Sequence, residues 1–485
     1  MPTQQLVRLS LPRSLHSIEG WQAWRFALLS FFLLCSIGLT ILLRVTAPGI
    51  DEPIPSFTTF WLLCCLPYLA ACFLVLTTPP LQGRWRWIEL GLIVLGGIVL
   101  RGILLPMEPN TSHDSWRYLW DARVTLHGYS PYVYAPGDPA LEHLHNFIFD
   151  NSRFRTVPTL YPPGAQFVYL LSYLLAPDNL FFFKGVLLVL ELIAMGALAW
   201  ILYHKGLDPA RCLIYAWCPL PIVEFALQGH HEAITIVFTM LALVCAYGQW
   251  RGSRILTGFF IAMAALTNLY PLLFLLAVLR WRDWALLATC VATIVIAYIP
   301  YLILGHGMVL GFFSSYASEQ TQNESVVPLT VHLVAALLGL DRTSTLIVGY
   351  IADLIVVGTV CLLLWRFRRR GLVSMEVGML ALTGVVFAVS SHVYPWYTTA
   401  LLPWVAVLIG PIWVRKKGVQ ASGVAIAAVW YCVLVSIAQY YFVGVVVWVI
   451  YYLLVYLVVF AVLAFAAFLP LYRYYHAKRQ QKEAL

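Results

Sequence analysis

Charge is what this chain has least of. Only 11% of its 485 residues are Asp, Glu, Lys or Arg, against roughly 25% in a soluble domain. Beside a hydrophobic content of 61%, that scarcity excludes a soluble enzyme. The short alternating segments that a transmembrane barrel needs are missing as well. Cysteine chemistry is absent in a second sense: none of the 10 cysteines lies in a polar loop, and no CxxC pair occurs. They read as small apolar residues, not as disulfides or zinc ligands. No internal repeat is visible, which weighs against a transporter built from inverted halves.

What is there in abundance is apolar runs of bilayer-spanning length, about 20 residues each. The expected fold is all-α, a polytopic bundle of about 12–14 transmembrane helices with a long external loop. Spans are expected at about 24–43, 58–77, 86–105, 180–203, 210–228, 231–249, 284–305, 344–365, 372–389, 396–414, 420–442 and 444–469. The chain reads as one integral-membrane domain, 1–485. Within it lie a large external loop, 106–162, and a C-terminal part, 415–485, of helices and a basic tail. Arg8, Arg13 and Arg25 precede a long apolar run with no small-residue cleavage site. That run reads as a retained first span, not a removed leader.

The formal net charge of +8 has a topological reading. Basic residues cluster in short loops: GRWRW at 83–87, RFRRR at 366–370, RKK at 415–417 and RYYHAKRQQK at 473–482. That is the positive-inside pattern, which makes those loops cytoplasmic. A nucleic-acid partner would need a basic face instead. Two apolar pieces fit poorly as spans. Residues 163–176 are short, and 255–279 are interrupted by Asn268 and Pro271, with arginines at both ends (Arg251, Arg254, Arg280, Arg282). If each enters and leaves on one face, every basic loop is inside. Loops 106–162, 228–232, 306–330 and 390–396 then share the outer face. Backbone broken inside a membrane is tolerated only where protein or a watery cavity satisfies it, so the break at Asn268 marks a candidate site.

The external loop holds SHDSWRYLWDARVTLHGYSPYVYAP, 112–136. Ser112 suits a helix cap and Gly128 a helix end. Asp114, Arg117 and Asp121 share one face, and Trp116, Leu119, Trp120 and Val124 another. The pattern suits an amphipathic helix in the membrane interface, with tryptophans at headgroup level. Read blandly, the Asp–Arg–Asp ladder is a solvated row of weak surface pairs. Its neighbours argue for more. GYSPYVYAPGDP, with Tyr132, offers rigid turns with aromatic faces that suit sugar rings. Gln228, His230, His231 and Glu232, then His392, Tyr394, Trp396 and Tyr397, fall on the same outer face. A pore would spread such groups along its spans.

HDSWRYLWDARVTLHGYSPYVYAPGDPAL (113–141), followed by TLYPPGAQ (159–166) with Tyr161, resembles the first outer loop of GT-C glycosyltransferases. Among these it is similar to the bacterial polyprenyl-phosphate-mannose-dependent mannosyltransferases. WCPLPIVEFALQGHHEA (217–233), AALTNLYPLLFLLAVLRWR (264–282) and SSHVYPWYTTALLP (390–403) resemble their later motifs, in the same order, through roughly residues 86–414. The resemblance implies a GT-C bundle in the plasma membrane and an inverting transfer from a polyprenyl-phosphate sugar at its external face. It implies mannose as the sugar, a glycan, lipid or protein hydroxyl as acceptor, and Asp114 as base. Relatives commonly carry a lysine where Asn268 stands, and an aspartate or asparagine near His231 and Glu232.

Such chemistry needs positive charge or oriented donors for the leaving phosphate. Arg101 is the first candidate and Arg117 the second; snorkelling and pairing with Asp121 are their structural alternatives. Asp121, between Arg117 and Arg123 in sequence, suits a scaffold role. His230, His231 and Glu232 are candidates for substrate or for a divalent metal, although adjacent histidines on a helix point apart. His392 is a candidate for sugar or phosphate, with aromatic packing as the alternative, and Asn268 for the lipid-donor groove. The donor is the only small-molecule requirement assigned. Asn110-Thr111-Ser112 and Asn323-Glu324-Ser325 match the glycosylation acceptor pattern. A transporter or flippase is the alternative function, through Lys184, Glu191, Glu224, Asp353 and Glu376. A pyrophosphate-dependent ligase would need an arginine-rich late loop, and 306–330 contains no Arg or Lys.

Overall fold

Apolar periodicity builds most of the molecule, and prolines decide where it breaks. A computed structural model describes residues 18–49, 55–312, 324–410, 419–440 and 454–465, with residues 468, 472, 476, 479 and 480. The helices used below are α1 (Ile18–Thr46), α2 (Pro55–Thr77), α3 (Arg84–Leu104), α4 (Asp114–Leu126), α5 (Phe147–Asn151), α6 (Pro163–Leu175) and α7 (Leu180–His204). They continue as α8 (Glu232–Tyr247), α9 (Ser253–Ala265), α10 (Trp284–Leu304), α11 (Arg342–Arg369) and α12 (Met375–Val389). No strand occurs among the described residues. The fold is an all-α, multi-pass bundle. The RKK run, Asn323 and most of the basic tail lie outside the described residues.

Among the described residues six helices, α1, α2, α3, α7, α10 and α11, are long and apolar enough to cross a membrane. A seventh span forms if Pro209–Ala216 and Pro219–Leu227 count as one helix bent by 48°. Among the described residues the uninterrupted spans number fewer than 12. Val419–Tyr440 is one helix of 22 residues, half of 444–469 lies outside the described residues, and other expected spans are helical but short or broken. α8 and α12 have 16 and 15 residues, and 395–408 is three short pieces. Pro219, Pro221, Pro395 and Pro403 stand in these breaks, where each removes a backbone donor.

Of the two doubtful pieces, 163–176 is the single short helix α6 and 255–279 turns back on itself. At the start of α6 the Gly164 N–H donates to Leu266 O (2.8 Å), and just past its end Asp178 meets Arg123 (2.8 Å). Residues 253–283 form a hairpin: α9, a break at 266–269, then Tyr270–Phe274 and Leu275–Val278. Arg254 closes it by donating to Asp283 (Nε–Oδ2 3.0 Å) and to Val278 O (2.9 Å).

The segment 106–162 is packed protein. Nine of the 13 residues of α4 are buried. Trp116 and Trp120 are 8% and 1% exposed; Trp120 lies against His145 and Phe149. The expectation of tryptophans at headgroup level is corrected: α5 and the turn before it cover the tryptophans assigned to lipid. Asn110 is likewise no accessible glycosylation acceptor. It is buried, donates to Pro48 O (3.3 Å) and accepts from Gln228 Nε2 (2.6 Å). All ten cysteines are free thiols.

Two buried ion-pair clusters tie the helices together. Arg25 donates to Glu89 and Asp208, each at 2.7 Å, joining α1, α3 and the turn after α7. Arg101 donates to Glu191 at 2.7 and 2.9 Å and to Ala216 O at 2.6 Å. Arg101 is wholly buried and held by Glu191 and Ala216, so it does not snorkel. A buried pair fixes register more than it adds net stability, but removing one partner strands a charge at a cost of about 3–5 kcal/mol. Glu191→Gln should therefore lower the Tm in detergent, and the double change Arg101→Met with Glu191→Leu should restore most of it. An unchanged Tm in Glu191→Gln would contradict this role.

Candidate active site

Asp114 opens α4. Its N–H donates to Ser112 Oγ at 3.2 Å, and the helix N-terminus favours its negative charge. The α4 helix ends before Gly128, whose φ of +84° suits glycine. Asp114 keeps 22% of its side chain exposed.

The chain that faces Asp114 is the turn at 228–231. The Gln228 side chain accepts from the N–H groups of Asn110 and Thr111 at 3.0 and 3.1 Å. Lys184 on α7, fully buried, donates to Met107 O and to Leu227 O. Gly229 takes φ +76°, and a Cβ there would come within 2.9 Å of Ser115 Cβ. Only glycine lets the turn lie this close to α4.

The turn sets His230 between two carboxylates. Its Nδ1 is 3.0 Å from Glu224 Oε2, and its Nε2 is 3.8 Å from Asp114 Oδ2. Nε2 is buried with no hydrogen-bond partner. One ring face stacks on Trp396 at 4.0 Å and 17°, and Trp396 in turn stacks on Tyr394 at 4.6 Å and 7°. Burial opposes charge on His230, but the Glu224 hydrogen bond and the charges of Glu224, Asp114 and Glu232 raise its pKa above the ordinary histidine range. His231 goes the other way: burial and the neighbouring His230 push it down to about 3, so it is neutral. It sits among the edges of Tyr118 (5.1 Å), Tyr161 (5.0 Å) and Tyr169 (6.1 Å). Both carboxylate oxygens of Glu232 are buried without a hydrogen bond.

The other candidates take places around this centre. Asn268, at the hairpin break, donates to Thr235 Oγ1 (2.7 Å), one turn along α8 from Glu232. Tyr132 lies behind the site and donates to Tyr161 O at 2.6 Å. His392 is buried at the rim, 3.0 Å from Ser391 Oγ and 5.4 Å from the Tyr394 ring; burial holds it down to about 4. The structure thus brings Asp114, Tyr161, His230, His231, Glu232, Asn268, Tyr394 and Trp396 together. Arg101 is not among them.

Arg117 and Asp121 form a strut. Arg117 Nε donates to Asp121 at 2.8 Å, and its other nitrogens hold Phe154 O and Val157 O, each at 2.9 Å. Asp121 also accepts from Gln166 Nε2 at 3.1 Å. Arg123 does not help, because it pairs with Asp178. The solvated-ladder reading fails, since Asp121 is 1% exposed. Of the ionisable residues singled out for transport, Glu191 pairs with Arg101 and Glu376 with Lys205, whereas Asp353 keeps one buried carboxylate oxygen without a hydrogen bond. Among the described residues no three His, Cys, Asp or Glu side chains are grouped to hold a metal ion.

Glu224 is the partner that sequence reasoning left out of the site. It lies six positions before His230, which is out of register for an α-helix. A π-helical turn at Ile222–Leu227 and the Gly229 turn bring the two together; π turns recur at functional sites. The strut yields a prediction. Asp121→Asn strands the buried Arg117 charge, so it should lower yield and Tm while the folded fraction keeps most of its activity. A stable but inactive Asp121→Asn protein would move Asp121 from strut to chemistry.

No curated protein gives a significant match to the chain. A family model described as Glycosyltransferase family 87 matches residues 159–391. The matched stretch takes in the Glu224–Glu232 turn and the Asn268 break, and begins after Asp114. Over that stretch, just under half of its length, this multi-pass membrane protein is similar to the glycosyltransferases of family 87.

Proposed function

We propose that the chain is an inverting glycosyltransferase with Asp114 as general base. It moves a sugar, mannose by resemblance, from a polyprenyl phosphate to a hydroxyl of a glycan, lipid or protein acceptor at the external face of the plasma membrane. The observation that carries this reading is the meeting of Asp114 with His230 and Trp396. Three segments far apart in sequence converge on one partly exposed carboxylate, at the end of the bundle where the α9 hairpin breaks.

The chemistry follows from one carboxylate. Asp114 takes the acceptor proton as that oxygen attacks the anomeric carbon from the face opposite the phosphate. The bond from the anomeric carbon to the phosphate oxygen breaks, its electron pair leaves on the phosphate, and the anomeric centre inverts. A positioned base contributes about 10²–10⁴-fold. The break after α9 presents Leu269 and Leu272, 47% and 43% exposed, as an apolar approach for a prenyl chain beside the Asn268 amide. Tyr394 and Trp396 supply aromatic surface for a sugar.

Radiolabelled polyprenyl-phosphate-mannose supplied to membranes carrying the protein should transfer label to lipid or glycan; uptake without transfer would support transport instead. Asp114→Asn should cut kcat by about 10²-fold or more with donor KM nearly unchanged. Near wild-type transfer by this variant would remove Asp114 from the mechanism. Sidedness has its own test. Ser130 is fully buried and makes a poor probe, whereas Glu142 and Arg251 are exposed. An impermeant thiol reagent should label Glu142→Cys but not Arg251→Cys on intact cells. The reverse result would overturn the topology.

A further inference from the structure

We propose that Asp114, His230 and Glu224 form a proton relay, in which Asp114 hands the acceptor proton to His230 and Glu224 orients and stabilises the resulting imidazolium. The relay rests on the glycosyltransferase reading of the same site and assigns roles within it that the transfer alone does not require.

Geometry carries the proposal. Glu224 and His230 are both fully buried, and Nδ1 lies 3.0 Å from the Glu224 carboxylate. That contact sets the tautomer: Nδ1–H donates to Glu224, leaving the Nε2 lone pair on the Asp114 side. Nε2 has no other partner and is 3.8 Å from Asp114 Oδ2. A shift of under about 1 Å makes this a hydrogen bond, and catalytic contacts commonly tighten when substrate binds. The ring cannot swing away, because Trp396 stacks on its face. The π turn and the positive-φ Gly229 are the local irregularities that create the Glu224 contact. No step of the sugar transfer explains an acid buried behind a histidine.

The proton balance is simple. The acceptor O–H proton goes to Asp114, then to His230 Nε2, giving an imidazolium between two carboxylates. Once the product leaves, the proton returns through Asp114, whose exposed edge meets water. A neutral imidazole is a better proton sink than an exposed carboxylate, so the relay keeps Asp114 basic while substrates cover it. Other charged or titratable groups facing His230 are Glu232 from α8, His231 beside it, and Lys184 from α7, held by the Met107 and Leu227 carbonyls. His392, at the rim, is held neutral by burial.

His230 must be neutral to accept a proton, so the relay closes as pH falls through its pKa. Glu224 and its acidic neighbours raise that pKa above the usual 6.5. The test is the pH profile of kcat for transfer from polyprenyl-phosphate-mannose, with donor KM and Tm measured alongside. Wild type should lose activity on the acid side in or above the histidine range. His230→Gln should lower kcat about 10-fold or more, leave donor KM nearly unchanged, and move the acid limb down to the carboxylate range. Glu224→Gln should shift the histidine limb to lower pH. Wild-type kcat with an unmoved limb in His230→Gln overturns the relay and leaves the transferase reading intact. If His230→Gln fails to fold, an unmoved limb in the near-isosteric Glu224→Gln overturns it. Wild-type membranes that transfer no sugar overturn the functional reading and the relay together.

Discussion

The candidate site depends on one clasp between two stretches of chain more than a hundred residues apart. Gln228 reads the backbone of Asn110 and Thr111, Asn110 returns a side-chain contact, and Lys184 holds Met107 and Leu227 by their carbonyls. All of these groups are buried or nearly so, where unpaired polar atoms would cost about 1–3 kcal/mol each. The clasp therefore permits one register. That register puts Gly229 against Ser115, and with it His230 opposite Asp114. Arg117 extends the same logic outward, pinning the 154–157 backbone to the helix that carries Asp114.

Charge is sparse in this chain, and its distribution explains the asymmetry of the molecule. At one end, Arg25 with Glu89 and Asp208, Lys205 with Glu376, and Arg254 with Asp283 close the helix ends as ion pairs. Such pairs are spent on structure. At the other end, Asp114 keeps an exposed edge, while Glu232 and His230 Nε2 keep unbonded polar atoms. Unbonded buried polar atoms are rare in folded proteins. Arg254 and Asp353, elsewhere, also keep one, but His230, His231 and Glu232 group five of them beside the broken hairpin.

Much of this was legible in the sequence. Apolar runs of bilayer length located the helices to within a few residues, because span length is fixed by bilayer thickness. Arginines at both ends of 255–279, with Asn268 and Pro271 between, announced a hairpin, and the chain does turn there. Span continuity was not legible, since a proline can end, kink or merely start a helix. The fate of Arg101 was not legible either: Glu191, its partner, is 90 positions away on another span. The tryptophans of α4 were misread because a helical face shows only that it is apolar. Whether lipid or protein covers it is a tertiary fact. Asp114 and His230 could be nominated separately, but Glu224 required the π turn, which no residue pattern signals.

The central claim is that the Asp114–His230 cluster receives the sugar of a lipid-linked donor. A structure with a non-hydrolysable polyprenyl-phosphate-sugar analogue tests it most directly. The account predicts the sugar between Asp114 and Trp396. It places the anomeric carbon where an acceptor oxygen can also reach Asp114, and the prenyl chain leaves past Leu269 and Leu272. A sugar bound at the opposite end of the bundle, near Arg25 and Asp208, would contradict it.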